Sequence, residues 1–355
     1  MPEPVDIQDY ESLASGCMSK MAWEFLSGGA GDELTIRWNR EAYDRIRLLP
    51  RNLVDVSRLD TRVTLLRREL PHPVLLAPVA CQRLVHPDGE VAAAKGAAAA
   101  DATMVLSTFS TVALEEVAAA ATSPLWLQLY IQPDRGFTRE LLRRAETARY
   151  EALVLTVDTP ILGARHREAR INFALPPGIE KANFKGLSGA SASHRPKGRD
   201  IYSEMLDPGL TWKDVDWLRS QTQLPVFLKG ILGAADAARA VEAGASGIIV
   251  SNHGGRVLDT VPATIDALPA IVGKVAGRLP VLVDGGIRRG TDVLKALALG
   301  ASAVCIGRPY VFGLAVGGAE GVARVIQILR REFEMAMALT GRTSTASIDL
   351  SVIFR

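Results

Sequence analysis

Short apolar runs alternate with longer, alanine-rich amphipathic stretches along the chain from residue 73 onward. Runs of this kind are typical of strands buried in a parallel sheet, and the amphipathic stretches between them indicate crossover helices. Eight strands are predicted, at Val74–Ala77, Met104–Ser107, Leu125–Leu129, Ala152–Val157, Val226–Leu228, Gly247–Val250, Val281–Val283 and Ala303–Ile306. Helices are predicted between them at Glu90–Ala100, Leu114–Ala121, Thr138–Ala148, Trp212–Ser220, Ala234–Ala243, Ile265–Val272 and Gly290–Leu299.

This alternation of eight strands with helices predicts an α/β fold, the (β/α)₈ TIM barrel. A doubly wound open sheet is the alternative, but the glycine fingerprint of its dinucleotide site is missing. The only comparable run, Gly28-Gly29-Ala30-Gly31, follows a helical pattern and not a strand. We interpret it as a helix stop and a turn.

The chain is expected to form a single domain, residues 1–355, with an N-terminal helical extension (1–72) before the barrel (73–355). Three helices are predicted in the extension, at Ile7–Ala14, Met18–Leu26 and Glu33–Tyr43, and they could cover the barrel bottom or reach round its side. The longest connection follows the fourth strand. We interpret residues 174–210 as a loop or lid, because the middle of this segment, Gly186–Arg199, is rich in Gly, Ser, Lys and Arg.

Composition narrows the class of protein. Hydrophobic residues make up 48% and charged residues 23%, which indicates a globular chain with a buried core. The net charge of +2 argues against a nucleic-acid binder. Cys17, Cys81 and Cys305 lie too far apart for a disulfide framework or a zinc site. With no signal peptide or long apolar stretch, we expect a cytoplasmic protein without a metal ion or membrane partner.

Polar residues follow almost every predicted strand, at the end where TIM barrels carry their chemistry. The strand ends run into Pro78-Val79-Ala80, Ser107-Thr108-Phe109, Gln128 and Tyr130, Thr156-Val157-Asp158, Lys229, the stretch Ser251 to Arg256, the stretch Asp284 to Arg288, and Gly307-Arg308. Glycines let the backbone approach an anion, so Gly285, Gly286 and Gly307 with Arg288 and Arg308 predict a phosphate site. The alternative is that these glycines only form tight turns and the arginines are solvated.

Several of these side chains are candidates for catalysis. His253 could act as a general base near neutral pH, or it could be a hydrogen-bonded structural histidine. Asp158 could orient His253 or cap a helix. Lys229 could form a Schiff base or hold a positive charge near a cofactor. Arg165 and Arg256 could grip a carboxylate together, although either could form a surface ion pair.

Five segments together resemble the FMN-dependent α-hydroxy acid oxidases and dehydrogenases. They are Ser251-Asn252-His253-Gly254-Gly255-Arg256-Val257-Leu258-Asp259, Leu155-Thr156-Val157-Asp158-Thr159-Pro160, Leu127-Gln128-Leu129-Tyr130, Asp284-Gly285-Gly286-Ile287-Arg288-Arg289-Gly290 and Ile306-Gly307-Arg308-Pro309. The resemblance extends from Tyr10 to about Ile348. It implies a TIM barrel with one FMN per subunit, a homotetramer, and oxidation of an (S)-2-hydroxy acid to the 2-oxo acid.

The resemblance also implies a role for each matching position. His253 would accept the substrate proton with support from Asp158, and Tyr130 would bind the substrate hydroxyl. Arg165 and Arg256 would hold the carboxylate, and Lys229 would stabilise reduced flavin, which displaces the Schiff-base interpretation. The remaining FMN contacts would come from Pro78, Val79, Ala80, Ser107, Gln128, Thr156, Ser251, Asp284, Gly285, Gly286, Arg288, Gly307 and Arg308.

Departures from the family pattern bear on the substrate and on loop geometry. Phe25 stands where many members have a tyrosine that binds the carboxylate, and Phe109 stands where glycolate oxidase has a tryptophan. Both changes resemble 4-hydroxymandelate oxidase. With Leu162 they predict an apolar pocket for an aryl or larger aliphatic acid such as mandelate, with glycolate or L-lactate as the alternative. Past Arg165, the stretch Glu168 to Phe173 departs from the usual Asp and Arg-Asn arrangement.

The electron acceptor is inferred from features the sequence lacks. No haem domain precedes the barrel, and the loop after the fourth strand has no apolar membrane segment. We therefore expect O₂ to reoxidise the flavin, giving H₂O₂, with a quinone or carrier protein as the alternative. An aldolase or isomerase using Lys229 and a non-catalytic flavin-binding protein are the hypotheses from other classes.

Overall fold

The computed structural model describes residues 3–185, 201–203 and 205–354. Ten strands lie in this part of the chain: β1 Val63–Leu65, β2 Arg68–Leu70, β3 Val74–Leu76, β4 Met104–Ser107, β5 Leu125–Leu129, β6 Ala152–Thr156, β7 Val226–Ile231, β8 Gly247–Val250, β9 Val281–Asp284 and β10 Ala303–Ile306. Strands β3 to β10 pair in parallel in chain order, and β10 pairs with β3 to close an eight-stranded barrel. The predicted TIM barrel is confirmed, with all eight strands at the predicted places.

Helices follow the strands round the outside of the barrel. The described residues contain α1 Ile7–Cys17, α2 Lys20–Ser27, α3 Leu34–Arg45, α4 Gly89–Ala99, α5 Leu114–Ala120, α6 Arg135–Thr147, α7 His166–Arg170, α8 Trp212–Ser220, α9 Ala234–Glu242, α10 Thr264–Val275, α11 Gly290–Ala298 and α12 Arg308–Leu339. Short 3₁₀ helices lie at Gln82–Leu84, Ala182–Phe184, Thr345–Ser347 and Leu350–Val352. Of the α-helices, α7 and α12 were not predicted from the sequence.

Helix α12 is long and apolar enough to cross a membrane by length and composition alone. It is instead largely a core helix, because 61% of its apolar window is buried inside the protein. Non-helical backbone at Gly317 and Gly318 interrupts it, and Gly318 has a φ of +56°.

The interior of the barrel changes from apolar to polar along the strands. Val105, Trp126, Val154, Phe227, Ile249 and Leu282 belong to the buried cluster inside the barrel. Two residues further along the same strands lie Ser107, Gln128, Thr156, Lys229, Ser251 and Asp284, all of them buried. Because side chains alternate along a strand, these six polar groups also point inward, at the C-terminal ends. We call them the polar ring.

The N-terminal end of the barrel is closed by the β1–β2 hairpin. Leu65 and Leu70 join the apolar cluster inside the barrel, and Arg68 forms an ion pair with Glu151, directly before β6. The three helices predicted in residues 1–72 are present, and this segment also contains the hairpin, which the sequence did not predict. The hairpin, not the helices, covers the barrel bottom.

Helix α3 lies at the other end of the barrel, beside the loops that carry the predicted site. Asn39 and Asn252 exchange two amide hydrogen bonds of 2.9 and 2.8 Å, and Arg40 donates to the Gly286 carbonyl at 2.8 Å. Asp259 accepts from the backbone N–H of Asp32, Leu34 and Thr35 at the start of α3. The N-terminal helices thus support the catalytic face.

The predicted loop or lid, residues 174–210, is described only in part. Its 3₁₀ helix is held by Asn183, whose buried amide donates to the Thr108 carbonyl and accepts from the Leu114 N–H. Residues 186–200, which include the whole Gly186–Arg199 stretch, and residue 204 lie outside the described residues.

Candidate active site

Hydrogen bonds connect the polar ring around the mouth of the barrel. Ser107 Oγ donates to Gln128 Oε1 at 3.2 Å, and Gln128 Nε2 donates to Thr156 Oγ1 at 3.0 Å. On the other side, Lys229 Nζ donates to Ser251 Oγ at 2.8 Å and lies 3.2 Å from Asp284 Oδ2. Lys229 is paired with Thr156 in the sheet register, which joins the two halves. The structure therefore brings together six of the predicted cofactor residues.

Lys229 keeps its positive charge although it is buried. Burial by itself lowers the pKa of the Lys229 ammonium, but Asp284 and Asp158 outweigh this and raise it above its usual value. A protonated amine has no lone pair with which to attack a carbonyl carbon. The geometry thus favours a fixed positive charge at the floor of the site over a Schiff base.

His253 and Asp158 form a largely buried pair at the ends of β8 and β6. The distance from His253 Nδ1 to Asp158 Oδ1 is 2.9 Å, and Thr159 Oγ1 donates to the same carboxylate oxygen at 2.7 Å. His253 has a φ of +58°, in the left-handed region that non-glycine residues rarely adopt, and its backbone N–H donates to Ser251 Oγ. Strained backbone of this kind is common at functional sites.

The protonation states of His253 and Asp158 allow His253 to act as a general base. Burial lowers the pKa of His253, and Asp158 offsets that change only in part. Although burial alone would raise the pKa of Asp158, contacts with His253, Lys229 and Thr159 lower it to about 2. Near neutral pH the imidazole is therefore neutral, with Nδ1–H donating to the Asp158 carboxylate. The remaining nitrogen, Nε2, can accept a proton.

Gly230 makes room for the Asp158 side chain. It lies at a register shift in β7 with a φ of +108°, and a Cβ atom there would come within 2.5 Å of the Asp158 Cβ. Only glycine combines this backbone conformation with so close a neighbour.

Tyr130 lies next to the pair and packs on Phe109, with ring centroids 5.0 Å apart. Burial and the Asp158 charge raise the pKa of Tyr130 to about 12, so the phenol stays protonated and can donate a hydrogen bond. Phe109 also contacts the ring of Phe184.

Arg165 and Arg256 lie close together, and one carboxylate connects them. Arg165 Nη1 donates to Glu168 Oε1 at 3.3 Å, and Arg256 Nη2 donates to the same oxygen at 3.2 Å. The Arg256 guanidinium also lies 5.2 Å from the centre of the Phe25 ring, and Phe25 stacks on Phe173 at 4.7 Å. Leu162 is 50% exposed near this group in the chain. Phe25 and Phe109 therefore have different neighbours, one at the arginines and one at Tyr130.

The turns after β9 and β10 differ in how their helices begin. At α11, the Asp292 carboxylate accepts from the backbone N–H of Arg288 and Arg289, so this helix end is occupied. At α12, which begins directly after Gly307, no side chain among the described residues caps the first turn. A Cβ on Gly307 would meet only ordinary contacts with Val79 and Ala77. The α12 start therefore has both the free N–H groups and the space that a phosphate needs.

The predicted phosphate arginines are half-buried near this helix start. Arg308 donates to the carbonyls of Leu26, Gly254 and Gly28, each at 3.0 Å, and Arg288 lies 3.6 Å from Glu11. Burial and the Arg288 charge lower the pKa of Arg308 to about 10. Nearby negative groups therefore offset only part of the cost of keeping the Arg308 guanidinium charged. Gly285 and Gly286 have φ values of +92° and +84°, and a Cβ on Gly286 would meet the Asn39 carbonyl at 2.2 Å. These two glycines are thus also required by the contact with α3.

These features fit a flavin mononucleotide. Asp284 Oδ1 is buried without a hydrogen-bond partner among the described residues, as expected if it accepts from a hydroxyl of a bound molecule. The polar ring supplies donors and acceptors for a heterocycle and a hydroxylated chain, and the α12 start lies at the neighbouring strand end for a terminal phosphate. Pro78, Val79 and Ala80 follow β3 and are half-buried at the same end of the barrel.

The sequence prediction missed three side chains that position the site. Thr159 bonds to Asp158, Asn39 bonds to Asn252, and Glu168 joins the two arginines. Thr159 could have been found from its place directly after Asp158. Asn39 carries no comparable sequence signal, because its partner is 213 residues away in the chain. Glu168 opens the stretch noted as a departure from the family pattern, but its second partner, Arg256, is 88 residues away.

Comparisons with known proteins agree with this geometry. Residues 14–355 match the family described as FMN-dependent dehydrogenase. The chain is 51% identical to an L-lactate oxidase of Nostoc sp. (strain PCC 7120 / SAG 25.82 / UTEX 2576), covering 99% of this chain and 98% of that protein. It is 47% identical to glycolate oxidase 1 of Oryza sativa subsp. indica, covering 100% and 96%. A solved structure of mandelate oxidase with (S)-2-phenylpropionate superposes with a TM-score of 0.90 at 42% identity, covering 99% and 98%.

Proposed function

This chain belongs to the family of FMN-dependent dehydrogenases, and we propose that it oxidises an (S)-2-hydroxy acid to the 2-oxo acid with O₂ as electron acceptor, releasing H₂O₂. FMN is the cofactor of this oxidoreductase. The observation that carries the proposal is the largely buried His253–Asp158 pair, which lies beside Tyr130 at the mouth of a barrel with a polar floor. We further propose an aryl or larger aliphatic acid, such as mandelate or 4-hydroxymandelate, as the substrate.

The substrate carboxylate would bind to Arg165 and Arg256, each of which keeps N–H groups beyond those that bond to Glu168. Tyr130 donates its phenolic hydrogen to the substrate hydroxyl, and the neutral His253 accepts a proton from the substrate at Nε2. Asp158 stabilises the imidazolium that results, because its carboxylate already contacts Nδ1. The substrate loses two electrons and two protons in all.

The cofactor would be held by the polar ring, by Pro78 to Ala80 and by the turns at Gly285, Gly286, Arg288, Gly307 and Arg308. Bound FMN would supply the two-electron acceptor for the substrate, and O₂ would take up those two electrons with two protons to become H₂O₂. Lys229 contributes a buried positive charge at the floor of the site. A homotetramer and a cytoplasmic location stay predictions.

A small-acid oxidase is the second candidate, favoured by the identity to the L-lactate and glycolate oxidases. Phe25 and Phe109 favour the larger acid instead, because a phenyl group on the substrate could bury apolar area against them. On the order of 100 Å² of such area contributes about 2.5 kcal/mol, roughly 70-fold in kcat/KM.

Phe25→Tyr provides a direct test of this assignment. The parent should show a higher kcat/KM for (S)-mandelate than for glycolate or (S)-lactate. The added hydroxyl should improve the small acids relative to mandelate by about tenfold, since one further bond to a carboxylate contributes about 1.5 kcal/mol. Steady-state kinetics on the three acids measure both effects.

Phe354→Tyr, which adds the same hydroxyl at a half-exposed ring, is the matched control for Phe25→Tyr. A parent that prefers glycolate, or a variant that leaves the ranking unchanged, contradicts the proposed substrate.

The yield of H₂O₂ tests whether O₂ is the electron acceptor. Under air, we expect one H₂O₂ for each 2-oxo acid formed, because the flavin electrons pass directly to O₂. Coupled peroxide detection alongside chromatography of the 2-oxo acid measures the ratio. Enzyme reduced anaerobically by substrate and then mixed with aerated buffer should reoxidise at least as fast as it turns over. Slow reoxidation that a quinone accelerates would show a dehydrogenase in place of an oxidase.

A further inference from the structure

Glu168 lies between the two arginines that the proposed function assigns to the substrate carboxylate. Its Oε1 accepts from Arg165 at 3.3 Å and from Arg256 at 3.2 Å. All three side chains are largely buried, with exposed fractions of 16%, 17% and 15% for Glu168, Arg165 and Arg256. Among the residues the structure describes, no other carboxylate lies within 4 Å of either guanidinium.

The local fold explains why Glu168 reaches both groups. Helix α7 is a single turn, so Glu168 lies three residues after Arg165 on the same face. The Glu168 carbonyl accepts from the Phe173 N–H at 2.9 Å. Phe173 stacks on Phe25, and Phe25 lies under the Arg256 guanidinium. These contacts link the Glu168 backbone to the Arg256 guanidinium and restrict the movement of Arg256.

Glu168 also balances charge in this part of the site. Burial, together with the charges of Arg165 and Arg308, lowers the pKa of Arg256 to about 9, while Glu168 opposes that change. Without Glu168, the guanidinium groups of Arg165, Arg256 and Arg308 would repel one another with no negative charge between them. An arginine that is repelled and has no ion-pair partner does not hold a single conformation.

We propose that Glu168 is a positioning residue that holds Arg165 and Arg256 as a preorganised pair for the carboxylate of the substrate. This inference rests on the proposed function, since it concerns the same carboxylate. Glu168 does not contact the reacting atoms. It sets the separation and direction of the N–H groups that do bind the acid, so it discriminates acids from neutral analogues of the same shape.

The experiment compares a charged substrate with a neutral one in matched variants. Glu168→Gln keeps the shape but removes the charge, and Glu168→Asp keeps the charge. Glu180→Gln makes the same change at an exposed position and is the control. Each protein is purified with FMN bound and assayed with (S)-mandelate and with 2-hydroxy-phenylacetamide, which has no carboxylate. Binding of benzoate and benzamide, followed by the flavin spectrum, gives a readout that does not need turnover.

For Glu168→Gln we expect KM for mandelate and Kd for benzoate to rise about tenfold, with kcat falling less than threefold. A tenfold change corresponds to about 1.4 kcal/mol, close to the lower end of the range for a hydrogen bond to a charged group. Values for the amide and benzamide should change less than twofold, and Glu168→Asp should recover part of the loss.

Equal losses for acid and amide would show a merely structural role and overturn the inference. So would an unchanged KM for mandelate, or a Glu168→Asp variant no better than Glu168→Gln. Failure of the proposed function is separate, because the parent enzyme would then not reduce its flavin with any 2-hydroxy acid. The benzoate and benzamide comparison still tests Glu168 in that case.

Discussion

Replacing His253 with Gln is expected to slow reduction of the flavin by 2-hydroxy acids by about 10³-fold or more, while FMN stays bound. The variant loses the imidazole that contacts Asp158, and general base catalysis alone contributes about 10²–10⁴-fold. FMN should remain because the His253 side chain lies outside the polar ring. Anaerobic rapid mixing with (S)-mandelate, followed by flavin absorbance, measures the rate directly.

A second variant separates chemistry from backbone strain in this experiment. His253 has a φ of +58°, and asparagine tolerates that conformation better than glutamine does. His253→Asn should therefore fold at least as well and lose the same activity. If either variant reduces its flavin at the parent rate, His253 is not the base.

Replacing Asp158 with Asn should lower kcat by about 10²-fold, the second largest effect. Asp158 is ionised at every working pH because its pKa is about 2, and its Oδ1 contacts His253 Nδ1 at 2.9 Å. Asparagine keeps the shape but cannot stabilise the imidazolium that forms when the base takes up a proton. Loss of one buried charge-assisted contact costs about 3 kcal/mol, roughly 10²-fold in rate.

The pH profile of Asp158→Asn should move in a defined direction. In the parent, kcat/KM rises with pH through the pKa of His253, which burial holds below its usual value, because only the neutral imidazole acts as a base. Without the Asp158 charge the imidazolium is less stable, so this pKa falls further and the acid limb moves to lower pH. A limb that stays in place or moves to higher pH would show that Asp158 does not act through His253. The double variant should be no worse than His253→Gln alone, since the two residues act as a unit.

The sequence alone was enough to predict the barrel and most of the site. Eight apolar runs between amphipathic stretches can bury themselves in few ways other than a closed parallel sheet, and the polar residues after those runs must then meet at one face. Hence Lys229, Ser251 and Asp284 were expected together and lie within contact of one another. The resemblance to a known family added roles for these positions, and those roles stay predictions.

The tertiary structure alone decided which segments close the barrel and support the site. The β1–β2 hairpin buries Leu65 and Leu70 in the interior, with Val63 and Leu66 partly buried against them. Such a short segment gives no clear periodic pattern in the sequence, and its place is decided by the open barrel end that it fills. Glu168 looks like any surface carboxylate in a one-turn helix until the fold brings Arg256 to its oxygen. Contacts between residues far apart in the chain produce no periodic pattern of hydrophobic residues in the sequence. They form only after packing has placed both partners.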